Sequence, residues 1–196
     1  DPLDESELQY VFELSKSFQI TPTFASLPPF NAMLQNATAA SLGLPGMNFG
    51  FDRILHAEQY TEVKAEYPTH GELFHTFKMK HAYDKAPNAV VTFGISTTDS
   101  TGTEVAYNET TLFAKGAGGW DGDRGPSHHN HIAPTREADC VIEQHVPENQ
   151  ALLYRLSGDW NPLHASPEFA KKFGFERPIL HGMCTYGIAA RHVIKA

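Results

Sequence analysis

Between residues 53 and 115 the sequence repeats one pattern, a strand-like run closed by residues that favour turns. The runs cover 53–63, 72–82, 89–96 and 104–115. The second alternates through Leu73, Phe74, Phe77 and Met79, the third is rich in valine, and the fourth alternates through Val105, Tyr107 and Leu112. Alternation at a period of two sends successive side chains to opposite faces of a sheet. The intervening Asp84-Lys85-Ala86-Pro87-Asn88 and Asp99-Ser100-Thr101-Gly102 have the chemistry of tight turns at antiparallel-meander spacing. A sheet of this kind must bury one face. The economical cover is a helix at 31–42, entered through the proline-stiffened run 24–30 and ended by Gly43 and Pro45. Before it, the aromatic and branched residues of 8–13 read as a further strand.

The chain has 196 residues, enough for one large domain or two small ones, and its 41% hydrophobic and 11% aromatic content supports a buried core. No run approaches a membrane span in length, and no charged-then-apolar leader opens the sequence. Cys140 and Cys184 are the only cysteines and make no disulfide framework, which favours a reducing compartment. A formal charge of −8 argues against a nucleic-acid surface.

Chemistry concentrates at 154–182. In Ser157-Gly158-Asp159-Trp160-Asn161-Pro162-Leu163-His164 an acid and an imidazole stand five positions apart. Pro162 restricts Asn161 to extended geometry and removes a backbone donor, so the run is a shaped loop and not a helix. Such a loop can aim Asp159 and His164 at one water, the arrangement that acid–base chemistry at neutral pH requires, with Asn161 orienting one of them. Spacing alone leaves a second reading open, an Asx turn beside a satisfied histidine. Downstream, Ser166 and Pro167 have the character of an N-cap and first helical residue, Lys171 and Lys172 fill the last turn of a short helix, and Gly174 ends it. Gly182 then opens a longer helix, where its N–H has no intrahelical acceptor and can face a developing oxyanion.

Tyr154-Arg155-Leu156 followed by this run, with Ala170 beyond it and Pro178-Ile179-Leu180-His181-Gly182 behind, resembles the signature of the MaoC-like (R)-specific 2-enoyl-CoA hydratases, and in particular the eukaryotic hydratase 2 unit of peroxisomal multifunctional enzymes. The resemblance implies an α+β fold, a tandem hot dog in which each curved antiparallel sheet wraps a central helix. It divides the chain into a degenerate, acyl-accommodating hot dog at 1–126, a linker at 127–137, and at 138–196 the start of a catalytic hot dog. The latter opens with a strand at 138–146 paired to another at 149–156. It further implies hydration of trans-2-enoyl-CoA to (R)-3-hydroxyacyl-CoA in fatty-acid β-oxidation. Asp159, His164, Asn161 and Gly182 are the expected catalytic residues, and the setting is peroxisomal or cytoplasmic. Coenzyme A enters as part of the substrate, so no separate cofactor and no metal is expected, and a homodimer is a possible assembly. Glu58, in His56-Ala57-Glu58-Gln59-Tyr60, matches the family's HisGlyGluGln segment with alanine in place of glycine, which implies a supporting role; a strand-end glutamate is otherwise commonly only solvated. Against the chain's negative charge, the polyanionic coenzyme would need a local basic cluster, for which Lys115, Arg124, Lys171, Lys172 and Arg177 are the candidates.

Rival readings stay open at this level. A hot-dog acyl-CoA thioesterase would direct the water at the carbonyl, and a non-catalytic acyl-CoA binding module would keep the pocket without turnover. His128, His129 and His131 have metal-ligating side chains but no Cys or acidic partner at ligand spacing. The glycine-rich run 116–125 lacks the Lys-Ser or Lys-Thr of a phosphate loop and reads as a flexible connection between domains. Tyr10, Phe24, Phe30 and Phe51 are candidates for an acyl tunnel or for plain core. Family members continue beyond the helix that ends this sequence, so the 196 residues are expected to be part of a longer protein.

Overall fold

The meander forms at its expected positions. A computed structural model describes residues 4–35, 37, 41–43, 47, 49–126 and 132–196. Its elements are α1 (Glu5–Leu8), α2 (Leu27–Leu34), β1 (Ile54–Val63), β2 (Leu73–Lys85), β3 (Asn88–Asp99), β4 (Glu104–Ala114), α3 (Gln150–Tyr154), α4 (Pro167–Phe173) and α5 (Gly182–Lys195), with 3-10 turns at Pro22–Ser26, Arg155–Ser157 and Pro162–His164. All strand pairs are antiparallel, in the order β1-β4-β3-β2. Central β3 is buried along most of its length and edge strand β2 is mostly exposed. At the turn into β4, the Asp99 carboxylate accepts from the amides of Thr101 and Thr103 at 2.8 and 3.0 Å, an Asx turn that closes the hairpin.

Val91, Phe93 and Ile95 of β3, Ile54 of β1 and Leu112 of β4 form the core face, covered by Leu42 and Met47 with Ala37, Phe49 and Phe51 around them. The covering segment is not the helix expected at 31–42. Helix α2 begins four residues earlier, because proline is tolerated in a first turn where its missing N–H would have no partner, and it ends at Leu34. Residues 41–43 are non-helical, and Pro45 lies outside the described residues. Between the sheet and the 3-10 turn Pro22–Ser26, fully buried Asn108 satisfies its amide on both sides. It accepts from Thr61 at 2.8 Å and from Gln59 at 3.3 Å, and donates to the Ala25 carbonyl at 3.1 Å.

Two further expectations are corrected. Residues 8–13 do not form a strand; the segment instead follows α1, which Asp4 caps by accepting from the Ser6 amide at 3.0 Å. Arg191 of α5 grips Glu7 through two hydrogen bonds of 2.6 and 3.0 Å, so α1 is placed by a contact 184 residues away that no local pattern encodes. Nor do 138–146 and 149–156 form a strand pair: the former has no regular structure and the latter contains α3, whose Gln150, Ala151, Leu152 and Leu153 are strong helix formers. Among the described residues, the α+β fold therefore contains one four-stranded sheet. The carboxyl-terminal segment docks on its β1 edge through a second small core of Leu163, Ala170 and Phe173, against which Leu55 packs.

The glycine-rich run also departs from expectation, since it is tethered rather than free. Buried Asp84 accepts from the backbone amides of Gly119 at 2.8 Å, Asp121 at 2.8 Å, Gly122 at 3.4 Å and Ala86 at 3.0 Å. The Gly119 amide leads the donors that hold the Asp84 carboxyl below the usual aspartate range. A group of lowered pKa stabilises the fold above its unfolded value and loses that contribution as pH falls through its folded value. Asp84→Ala is therefore expected to lower Tm at neutral pH, and the gap from wild type should narrow as the pH drops below the usual aspartate range. A gap that stays constant across that acidic range would show that the carboxylate does not tether the loop.

Candidate active site

The loop between α3 and α4 is built by short-range backbone locks. The 3-10 turn Arg155–Ser157 ends at Gly158 with φ +116°, and a Cβ there would lie 2.5 Å from the side-chain amide of Asn31, which itself donates to the Ser157 carbonyl at 2.8 Å. Helix α2 thus clamps the loop just ahead of Asp159, and only glycine fits. The Asp159 carboxylate accepts from the Asn161 amide at 3.1 Å, and the Asn161 side-chain oxygen accepts from the Leu163 amide at 3.0 Å. Pro162 follows as the first residue of its 3-10 turn. Asp159, Asn161 and His164 are all buried.

His164 places Nδ1 2.8 Å from the Ile179 carbonyl. A carbonyl only accepts, so Nδ1 carries the proton and, in the neutral ring, Nε2 keeps a free lone pair. Burial pushes the His164 pKa below the ordinary imidazole value, against the opposing pull of the Ile179 carbonyl and the Asp159 charge. Burial thus favours the neutral imidazole at pH 7.

Asp159, Asn161, His164 and Gly182 line one cavity of about 250 Å³, whose remaining wall is largely apolar, with Phe30 and Leu34 from α2, Phe51, Leu112 and Ile179. Gly182 is the first residue of α5, and its N-cap, His181, has an extended backbone and makes no side-chain cap bond. The first N–H groups of the helix are therefore left for a ligand. Phe30 and Phe51 are in this wall, whereas Tyr10 and Phe24 line a different cleft with Tyr67.

Two histidines not singled out from sequence complete the site. His56 also lines the cavity, stacked on Phe30 with ring centroids 5.6 Å apart. It sits at a β-bulge, where Ala57 is skipped between the pairs His56↔Leu112 and Glu58↔Thr111. Glu58 itself is exposed and does not line the cavity; its backbone carbonyl, 3.1 Å from Nε2 of His56, is its link to the site. His181 is fully buried, with its ring stacked on that of His164 at 3.8 Å between centroids. Its position beside Gly182 in the motif was the available signal.

A carboxylate oxygen of Asp159 and one ring nitrogen each of His164 and His181 lie within 4.8 Å of one another, a ligand set suited to zinc. The two rings are inclined by only 27°, so their in-plane lone pairs run side by side instead of converging on an ion. His128, His129 and His131 lie outside the described residues. Among the basic candidates, none lines the cavity. Lys115 reaches the Phe173 carbonyl at 3.4 Å, Lys172 pairs with Glu168 at 3.0 Å, and Arg124 and Lys171 are exposed. Arg177, 3.7 Å from Glu148, borders an adjoining cleft that shares His164 and Leu180 with the cavity.

Residues 3–116 match the family described as the MFE-2 hydratase 2 N-terminal domain, and residues 129–196 match the MaoC like domain. The peroxisomal hydratase-dehydrogenase-epimerase of Neurospora crassa is 43% identical over 197 residues, covering 97% of this chain and 22% of that protein. The peroxisomal enoyl-CoA hydratase 2 of Arabidopsis thaliana is 37% identical over 207 residues, covering all of this chain and 65% of its own. The chain thus spans less than two thirds of either relative. Among solved structures, full-length peroxisomal multifunctional enzyme type 2 from Drosophila melanogaster superposes with a TM-score of 0.79 at 34% identity, over 100% of this chain and 33% of that one.

Proposed function

Because the chain belongs to the family of the MFE-2 hydratase 2 N-terminal domain, continued by a MaoC-like domain, we propose that it carries the reversible addition of water to trans-2-enoyl-CoA, giving (R)-3-hydroxyacyl-CoA in β-oxidation. The observation that supports this most is the pairing of buried Asp159 and neutral His164, with its Nε2 free, at the wall of one apolar cavity. Two acceptors so close can hold both hydrogens of one water and leave its oxygen lone pair for C3 of the substrate. One of the pair takes a proton from that water, and the pair returns a proton to C2 on the same face, so the sum is addition of H and OH across the double bond. Acid and base roles are assigned here to the pair and not to either member.

Asn161, fixed between Asp159 and Leu163, would hold the geometry, and the Gly182 N–H would receive the charge that collects on the thioester oxygen. The thioester already acidifies C2, so the reading needs no redox cofactor and no metal. In this division, 1–126 supplies the acyl-facing wall and 138–196 the chemistry, joined by 127–137. Arg177, in the cleft beyond His164, is the basic side chain best placed for the coenzyme; Lys115, Lys171, Lys172 and Arg124 would act only through longer range. Glu58 supports the site by fixing His56. The names of the relatives favour a peroxisomal setting.

Crotonyl-CoA, a four-carbon trans-2-enoyl thioester, tests the reading. Loss of the enoyl absorbance with formation of the (R)-3-hydroxy product is expected. Release of free CoA thiol would identify a thioesterase, and binding without turnover a non-catalytic module. The pH profile adds a second check. Activity requires neutral His164, whose pKa lies below the ordinary value, so kcat/KM should stay level through neutrality and fall only below the normal imidazole range. An acid limb centred at about 6.5, the value of an unperturbed histidine, would contradict this.

A further inference from the structure

His181 occupies the N-cap of α5, a position where serine, threonine, aspartate or asparagine would stabilise the helix by accepting from its first amides. Its ring makes no such bond. It turns instead into the protein interior, where Nε2 lies 3.3 Å from the Asp159 backbone carbonyl, one face stacks on His164, and Tyr154 closes in with its centroid 4.8 Å away. The side chain is fully buried, and Nδ1 has no hydrogen-bond partner among the described residues. A desolvated, unpaired nitrogen destabilises a fold, and native proteins rarely keep one without reason. A phenylalanine would fill similar space with no unpaired polar atom.

We propose that His181 is a positioning residue for the Asp159/His164 pair, donating Nε2–H to the Asp159 carbonyl and fixing the plane of the His164 ring by stacking, at the expense of helix capping and of one buried hydrogen bond. The role rests on the hydration reading above. It requires His181 to remain neutral, because a second charge 3.8 Å from His164 would stop that ring from taking a proton. Burial first, and His164 next, lower the His181 pKa to about 4, while Asp159 pulls the other way and Arg155 adds to the lowering. Tyr154 and Cys184, on the elements that adjoin it, both have pKa values raised by burial and stay uncharged at neutral pH. His164 is thereby the only imidazole of the stacked pair that can cycle.

Three measurements test this. His181→Phe keeps the ring stack and loses the donor, so kcat for crotonyl-CoA should fall on the order of 10²-fold, the effect of a roughly 1 Å misplacement of reacting groups, with KM little changed. The change in Tm should be small, since the unpaired Nδ1 is lost together with the Nε2–H donated to the Asp159 carbonyl; a merely structural histidine would give the opposite split, lower Tm and intact kcat. His181→Gln restores an amide donor near Nε2 and should recover part of the lost kcat. Histidine-ring ¹⁵N NMR of the wild-type protein should show His181 neutral down to about pH 4. Wild-type kcat in His181→Phe, no recovery in His181→Gln, or titration of His181 near the ordinary value would each overturn the proposal. If wild-type protein fails to hydrate crotonyl-CoA, the hydration reading falls, while the NMR titration still decides whether His181 is the locked neutral member of the pair.

Discussion

Asp159→Asn and His164→Gln are each expected to lower kcat for crotonyl-CoA by at least ~100-fold, because a positioned acid–base group contributes that much or more. The fold should survive both. Asparagine keeps an oxygen that can accept from the Asn161 amide, and glutamine keeps an N–H that can reach the Ile179 carbonyl, so the locks of the loop stay largely in place. The asparagine variant loses one of two acceptors for the water, and the glutamine variant keeps an acceptor oxygen but loses the ring nitrogen basic enough to exchange a proton. With either function gone the water is no longer both aimed and activated, and removing the second has little left to remove. The double variant should consequently be scarcely slower than the slower single one, the non-additivity expected of groups that act as a unit. Unchanged melting curves alongside the kinetics would separate chemistry from stability. Near-wild-type turnover in either single variant, or losses that multiply in the double, would remove the shared-water mechanism.

How much of this was readable beforehand varies with how local the cause is. The strands β1 to β4 follow from alternation and from turn residues within each run, and all four lie within a few residues of their expected bounds. The cap and stop of α4 were equally legible, since Ser166 accepts from the Phe169 amide at 3.2 Å and Gly174 has φ +93°, both fixed by the residue at that position. Strand character at 138–146 failed for the opposite reason. Val141, Ile142 and Val146 have the right side chains, but β-propensity expresses packing against a neighbour, and no described strand lies beside them. For the candidate site, Asp159, Asn161, His164 and Gly182 can be grouped from the sequence because they share one motif, and the structure brings them to one cavity. His56 does not stand out beside its neighbour Glu58 in the sequence, because a skipped residue in a strand pair decides which side chain turns inward, and a bulge is invisible until the partner strand is known. The tether on the glycine-rich run was hidden in the same way, with its acceptor, Asp84, on a distant strand.

Gly182→Pro is expected to lower kcat by about 10²–10³-fold, corresponding to the roughly 2.7–4 kcal/mol that one oxyanion donor supplies to the transition state. Proline at this position removes an N–H and disturbs little else. The first residue of a helix has no intrahelical acceptor for that N–H, and proline is favoured there. The preceding residue must be extended, and His181 already is, at φ −63° and ψ 136°. The matching control is Gly182→Ala, which keeps the donor. Its Cβ would meet His56 at 3.7 Å, an ordinary van der Waals contact, so the alanine variant should fold and retain most of its turnover. A role limited to small size would give the reverse result, with alanine and proline equally damaging. A role as donor predicts a gap of the stated size between them, with both variants unchanged in Tm within the small shifts typical of exposed helix ends. If the proline variant folds and hydrates crotonyl-CoA at the wild-type rate, the charge on the thioester oxygen is held elsewhere, and the open amino end of α5 loses its part in the mechanism.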